Sequence, residues 1–267
     1  MKYMPIVPVG MLDVIDVSGV KDVFILSQFW KNKEYRDFYK EGSWDTVIID
    51  NDLYESEEAA KFEDMMRIAE SLDAKRIFVV GPEDLHDGVN TGVMTKRILE
   101  DNKSQGKLDK GINLMCILHE KPNEMKLQYE IVKDFKDLAF GISIFSFRLG
   151  YDRASLYDYV GIPKDRYVHA FGWDNLLEVC NLKKCGFSSI DSSIAVTAAI
   201  NKIDLTQDWQ IVRQPGREGV LQSTRAHMLD EDFESTVKND ALRNVLFLRR
   251  LANRGQSFPY NTRGTDI

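Results

Sequence analysis

Carboxylates recur in this chain at one kind of place, directly behind a short apolar run. Asp50 and Asp52 follow residues 46–49. Glu83, Asp84 and Asp87 follow 76–80, Glu120 follows 112–118, Asp174 follows 167–171 and Asp191 follows 187–190. Two carboxylates on different strands that share a pocket can divide the work of a glycosyl transfer: one attacks as nucleophile while the other moves protons. Asp50 and Asp191 suit this best, because each ends an apolar run directly. Asp191 lies in Ser188-Ser189-Ile190-Asp191-Ser192-Ser193, ahead of a helix-like run over 194–200. Its serine neighbours are expected to hydrogen-bond the carboxylate. The alternative is that Asp191 only caps that helix, as Asp often does. Asp52, Glu120 and Asp174 read as solvated loop acids.

The elements that must position these groups follow from apolar periodicity. Short runs over 4–9, 23–26, 46–49, 76–80, 112–118, 138–144, 167–171 and 187–190 are mostly rich in β-branched residues and bounded by turn residues. Strands buried on both faces read this way. Helical spacing over 56–72, 91–99, 122–135, 153–160, 174–182 and 194–200 fills most of the gaps. Eight strands mostly alternating with helices predict an α/β fold, a single (β/α)8 TIM barrel over residues 1–200, with its site at the carboxyl ends of the strands. Residues 201–267 form a C-terminal helical extension expected to complete the barrel, with Val245, Leu246, Leu248 and Leu251 as an apolar stripe. A doubly wound sheet is the alternative fold; the sequence has neither G-x-G-x-x-G nor a Walker loop.

Composition narrows the function. The 267 residues are 43% hydrophobic and 29% charged, and no apolar run approaches the ~20 residues of a membrane span. The chain starts straight into a strand-like run without a signal-peptide pattern, so a cytoplasmic protein with no membrane partner is expected. Cys116, Cys180 and Cys185 have no CxxC spacing, which points to reduced thiols and against a cysteine zinc site. A net charge of −7 argues against non-specific nucleic-acid binding over the whole surface. It leaves room for a local basic face, from Arg213 and Arg217 beside a Pro-Gly turn or from Arg243, Arg249, Arg250 and Arg254. His86, His119 and His169 near strand ends suggest a metal-dependent hydrolase barrel, but that chemistry wants an H-x-H pair in the first strand, and residues 4–13 hold no histidine. His169, inside an apolar run, reads better as a hydrogen-bonded core histidine. Trp44, Trp173 and Trp209 could stack on bases or anchor the core.

Four segments in order carry a resemblance: Ile48-Ile49-Asp50-Asn51-Asp52-Leu53-Tyr54-Glu55, Pro82-Glu83-Asp84-Leu85-His86-Asp87, Phe171-Gly172-Trp173-Asp174-Asn175-Leu176-Leu177-Glu178, and Ser189-Ile190-Asp191-Ser192-Ser193. Over about residues 4–200 they are similar to the guanine transglycosylase superfamily, most of all to the short phage-type enzymes that put 7-deazaguanines into DNA. The resemblance implies a barrel that exchanges guanine in a nucleic acid, DNA favoured over tRNA, for a base such as 7-cyano-7-deazaguanine, in the host-cell cytoplasm if phage-encoded. It implies no cofactor or metal; the Cys/His zinc site of the tRNA enzymes is missing, the last cysteine being Cys185. By the same likeness Asp191 is the nucleophile and Asp50 the proton-handling acid. Glu83 grips the guanine edge, with Asp84 and Asp87 beside it. His119 stands where the tRNA enzymes carry glutamine, Gly141-Ile142 match a base-contacting turn, and Asn51-Asp52-Leu53 replace a Ser-Gly-Gly stretch. The chemistry is reasonable on its own terms: carboxylates are acceptors suited to the adjacent N–H groups of guanine, and a base must leave its stack to reach a barrel mouth. The rival functions are the metal-dependent hydrolase and a barrel that binds nucleic acid without catalysis.

Overall fold

The computed structural model describes residues 1–53, 59–119, 121–143, 150–173, 178–208 and 227–254. Eight strands form its centre: β1 (Lys2–Pro5), β2 (Asp22–Leu26), β3 (Thr46–Asp50), β4 (Ile77–Val80), β5 (Asn113–Leu118), β6 (Ala139–Ser143), β7 (Val168–Phe171) and β8 (Ser189–Ser192). All neighbours are parallel, in the order β1-β8-β7-β6-β5-β4-β3-β2. The end strands β1 and β2 approach each other, so the sheet is a nearly closed barrel. At that seam the Lys2 ammonium reaches the Asp22 carboxylate on β2 and Thr46 Oγ1 on β3 (2.9 Å). Helices α1 (Leu12–Ser18), α2 (Lys33–Glu41), α3 (Phe62–Glu70), α4 (Gly88–Asp101), α5 (Pro122–Val132), α6 (Arg153–Val160), α7 (Glu178–Cys185) and α8 (Ile194–Ile200) follow the eight strands in turn. The fold is therefore the (β/α)8 barrel that the apolar runs predict.

Two apolar layers hold it together. Strand residues of one parity, among them Met4, Phe24, Leu26, Ile48, Phe78, Val80, Met115 and Ile117, fill the barrel. Their neighbours of the other parity, such as Val23, Ile25, Val47, Ile49, Val79, Leu114 and Cys116, pack outward against the helices. Alternate side chains of a strand point to opposite faces, and both faces here are buried, which is why each strand reads as an unbroken apolar run. Several helix starts are set locally. Asn32, Asp87 and Asp152 cap α2, α4 and α6 by accepting from the backbone N–H of Tyr35 (3.0 Å), Asn90 (2.9 Å) and Ser155 (3.0 Å).

Two strand boundaries differ from expectation. β1 ends at Pro5 rather than running to residue 9. Pro8 has no N–H to donate, and Val9 N–H turns away to Met228 O (3.0 Å). β8 runs from Ser189 through Ser192, two residues later than 187–190. Gly186 and Phe187 spend their N–H groups on Leu182 O at the end of α7 (3.2 and 3.1 Å), so the strand cannot start before them. Asp191 therefore sits inside a strand, not behind one.

Helix α9 (Ser235–Arg254) packs on α1, α8 and β1. Asn244, fully buried, staples it: Oδ1 accepts from Leu205 N–H (2.9 Å), and Nδ2 donates to Ala195 O and Ile203 O (3.1 Å each). No helix among the described residues is long and apolar enough to cross a membrane.

Candidate functional site

Asp191 is the third residue of β8, paired in register with Met4 of β1, and is 4% exposed. Its Oδ1 accepts two hydrogen bonds, from His169 Nε2 and from Gly172 N–H, both 2.9 Å. Among the described residues Oδ2 takes none. The carboxylate does not cap α8: Ile194 N–H goes to Ser192 Oγ (3.0 Å), which in turn donates to Trp173 O (3.2 Å). Nor do the neighbouring serines bond Asp191, contrary to expectation. Ser188 Oγ accepts from Val168 N–H (3.2 Å), and Ser189 Oγ lies 2.7 Å from His169 Nδ1, one residue removed from the acid. The reason is strand alternation. Ser188 and Ser192 point away from the barrel, and within β8 only Ser189 shares the parity of Asp191.

Both donors to Oδ1 are themselves held. His169 has no exposed surface; its ring stacks on Phe24 (centroids 5.7 Å, 19° between planes) and meets Phe171 edge-on (4.6 Å, 87°). Burial pushes its pKa below the ordinary value, against the pull of the Asp191 carboxylate, so the ring is held neutral. Gly172, at φ +74°, occupies the left-handed region that glycine enters without strain. Its peptide is gripped by Arg153, the first residue of α6. The guanidinium donates to Phe171 O (2.8 Å) and Gly172 O (2.9 Å), and makes a two-point pair with the Glu178 carboxylate of α7 (2.8 and 2.7 Å). Both side chains are buried, at 0% and 3% exposure. Neither Arg153 nor Gly172 stands out in the sequence as a site residue; the available signal is a fixed charge at the start of a mostly apolar helix.

A second polar group lies at the ends of β3, β4 and β5. Asp50 is the last residue of β3, half-buried, with the same inward parity as Ile48. Asn51 is buried and bridges to the end of β4, donating from Nδ2 to Gly81 O (3.1 Å) and Glu83 Oε1 (2.8 Å). The Glu83 side chain is 4% exposed, and its other oxygen lies 3.9 Å from His119 Nε2. His119, buried after β5, has Nε2 3.1 Å from Thr91 Oγ1. Burial pushes its pKa down to about 4, so it is neutral at physiological pH.

The other expected ligands have structural work. Asp84 braces its own loop, accepting from Asn90 Nδ2 (3.0 Å) and His86 N–H (3.1 Å), bonds that hold its carboxyl below the usual range. Asp87 is exposed and is the cap of α4. Asp52 is buried, not solvated; it accepts from Ser27 Oγ and Gln28 N–H and so fixes the loop behind β2. Gly141 and Ile142 lie in the middle of β6 rather than in a turn, with partners on β5 and β7 on either side. A side chain at Gly141 has no room, since a Cβ there would stand 2.2 Å from Phe171 Cε2. Ile142 is fully buried among the residues facing the helices.

Among the described residues, the arginines expected to contact nucleic acid do not gather at this rim. Arg249 donates to Ser18 O (2.7 Å) at the end of α1. That point adjoins the start of β2, at the amino end of the barrel, opposite Asp191. Arg250, the next residue, is exposed, and Arg243 pairs with Asp204 (3.1 Å) and Asp240 (3.3 Å). Arg213, Arg217, Trp209, Glu120 and Asp174 lie outside the described residues. Trp44 and Trp173 are core anchors, the first bonded to Tyr39 O (2.8 Å), the second edge-on to Tyr3 (5.7 Å). Among the described residues no three His, Cys, Asp or Glu side chains are grouped to hold a metal ion.

Fold and site together define an α/β barrel with a buried aspartate–histidine pair at the carboxyl end of its strands and a second polar group across β3 to β5. No protein-family model matches the chain, and no curated protein matches it.

Proposed function

We propose that this barrel is a base-exchange transglycosylase that removes guanine from a nucleic acid, DNA in preference to tRNA, and inserts a 7-deazaguanine. One observation carries the reading: Asp191, buried at the strand ends, has Oδ1 held by two donors and is not used as a helix cap. A nucleophilic carboxylate needs one oxygen held and the other open. Support also comes from Asp50, which shares the inward parity at the end of β3, and from the likeness of four segments to the guanine transglycosylases.

The chemistry runs in two displacements. Asp191 Oδ2 bonds to C1′ of the nucleotide as the C1′–N9 bond breaks. Guanine leaves with the bonding pair and takes a proton from the acid form of Asp50. The incoming base then returns a proton to Asp50 and attacks C1′, breaking the bond to Asp191. Two inversions at C1′ retain the sugar configuration. Glu83, oriented by Asn51, presents acceptors to the N–H edge of the base, while neutral His119 stands beside it.

Incubation with radiolabelled guanine and duplex DNA, single-stranded DNA or tRNA tests this. Label should enter DNA, and Asp191→Asn should abolish incorporation. Failure to label any of the three polymers refutes the reading.

A further inference from the structure

Inside the barrel, β7 and β8 carry a continuous polar row that neither helix packing nor loop structure requires. Tyr167 OH lies 2.7 Å from Ser189 Oγ; Ser189 Oγ lies 2.7 Å from His169 Nδ1; His169 Nε2 lies 2.9 Å from Asp191 Oδ1. Ser189 and His169 have no exposed surface. The row begins at the amino end of β7, where the Tyr167 ring stacks on Phe78 (4.1 Å) under the Arg76 guanidinium (5.7 Å), and ends at the site.

Counting hydrogens gives the row a direction. An ionised Asp191 can only accept, so His169 Nε2 must carry a hydrogen. A neutral imidazole has one, so Nδ1 is an acceptor and must receive the Ser189 hydroxyl hydrogen. The Ser189 oxygen then accepts from Tyr167, whose burial raises its pKa and keeps the phenol protonated. The reverse order would place the shared hydrogen on Asp191 Oδ1 itself. Gly172 N–H, aimed at the same oxygen, disfavours that order because a protonated oxygen is the poorer acceptor.

We propose that the Asp191 carboxylate on one side and the Tyr167–Ser189 hydroxyls on the other hold His169 as the Nε2–H tautomer, which makes His169 the positioning residue of Asp191: it holds Oδ1 and leaves Oδ2 as the attacking atom. The positioning role rests on Asp191 being the nucleophile; the tautomer does not. Among the described residues the titratable and charged groups felt at this pair are Tyr3 on β1, whose phenol the Asp191 charge helps keep protonated, and Arg153 on α6.

The test has two arms on the full chain. The chain has four histidines, so ring-nitrogen NMR of 15N-histidine protein can be assigned by the spectrum of His169→Gln. The expected signature is a protonated Nε2 and a bare, hydrogen-bonded Nδ1 in the wild type, with the Nδ1 resonance displaced by loss of that hydrogen bond in Ser189→Ala. A protonated Nδ1 in the wild type overturns the lock, whatever the enzyme does. In the second arm, Ser189→Ala should lower kcat for base exchange roughly tenfold with KM little changed, because the imidazole loses the bond that aims Nε2 at Oδ1. His169→Gln, which keeps an N–H donor, should retain more activity than His169→Phe. Wild-type kcat in both Ser189→Ala and His169→Phe overturns the positioning role. Absence of exchange by the wild type with the expected tautomer present counts against the transglycosylase reading and the positioning role that rests on it, and leaves the lock standing.

Discussion

The Arg153–Glu178 pair offers a sharp test of how the site is built. Arg153→Met leaves the Glu178 carboxylate buried without its counter-ion, at 3% side-chain exposure. Breaking a buried pair from one side costs about 3–5 kcal/mol, whereas replacing both members with apolar residues of similar volume is near neutral. Arg153→Met/Glu178→Leu should therefore be more stable than Arg153→Met alone, even though it carries one more substitution. It should not fully regain wild-type stability, because Phe171 O and Gly172 O lose their guanidinium donors (2.8 and 2.9 Å). A buried acceptor without a partner costs about 1–3 kcal/mol, less where water reaches the half-buried Gly172. The expected ordering is thus a loss of about 3–5 kcal/mol for the single variant and about 1–3 kcal/mol for the double, measured by urea denaturation with circular dichroism. In the folded double variant the Gly172 peptide has lost its anchor, so the donor to Asp191 Oδ1 is less well placed and base exchange should slow by roughly tenfold or more, as expected for a weakened hydrogen bond to a charged group. A double variant less stable than the single, or a single variant within about 1 kcal/mol of wild type, refutes this account of the clamp.

Three further outcomes follow from the geometry. Gly141→Ala should destabilise by about 1–3 kcal/mol as its Cβ displaces the Phe171 ring from 2.2 Å, read as a lowered denaturation midpoint; unchanged stability would mean the ring has space it does not show here. His119 has its folded pKa depressed to about 4 from 6.5, so the unfolded chain binds more protons between those values. Its contribution to stability is therefore complete above about pH 6.5 and is lost as pH falls toward 4, and His119→Asn should show a shallower fall in Tm between pH 7 and 4.5 than wild type. Asp87→Ala should cost about 1 kcal/mol through loss of the α4 cap, with Asp87→Asn recovering most of it; a fall in base affinity in Asp87→Asn at full stability would instead mark the carboxylate as a ligand.

Much of this protein is legible without coordinates, and the limit of that legibility has one cause. Apolar runs of four to seven residues between turn residues have few ways to fold other than as doubly buried strands, and helical spacing between them leaves a barrel as the economical closure. Helix α6 is delimited by its own residues, Asp152 as cap and Gly161 at φ +81° as stop. The acids behind the runs at Asp50, Glu83 and Asp191 could likewise be picked out by position. What the runs cannot carry is parity. A strand buried on both faces has no alternation of polar and apolar residues, so nothing local says which neighbour looks into the barrel. The β7–β8 register, which sets His169 opposite Ser189, decides that His169 and Asp191 point inward together, while Ser192 turns outward and accepts from Ile194 N–H at the start of α8. The same holds for Arg153 and Glu178, which stand 25 positions apart and meet only because α6 and α7 pack side by side. Patterns confined to single elements suffice for the barrel and for the positions of its rim acids. Which of those acids is buried and held, and by which donors, rests on strand register and helix packing, contacts between elements whose information no single element contains.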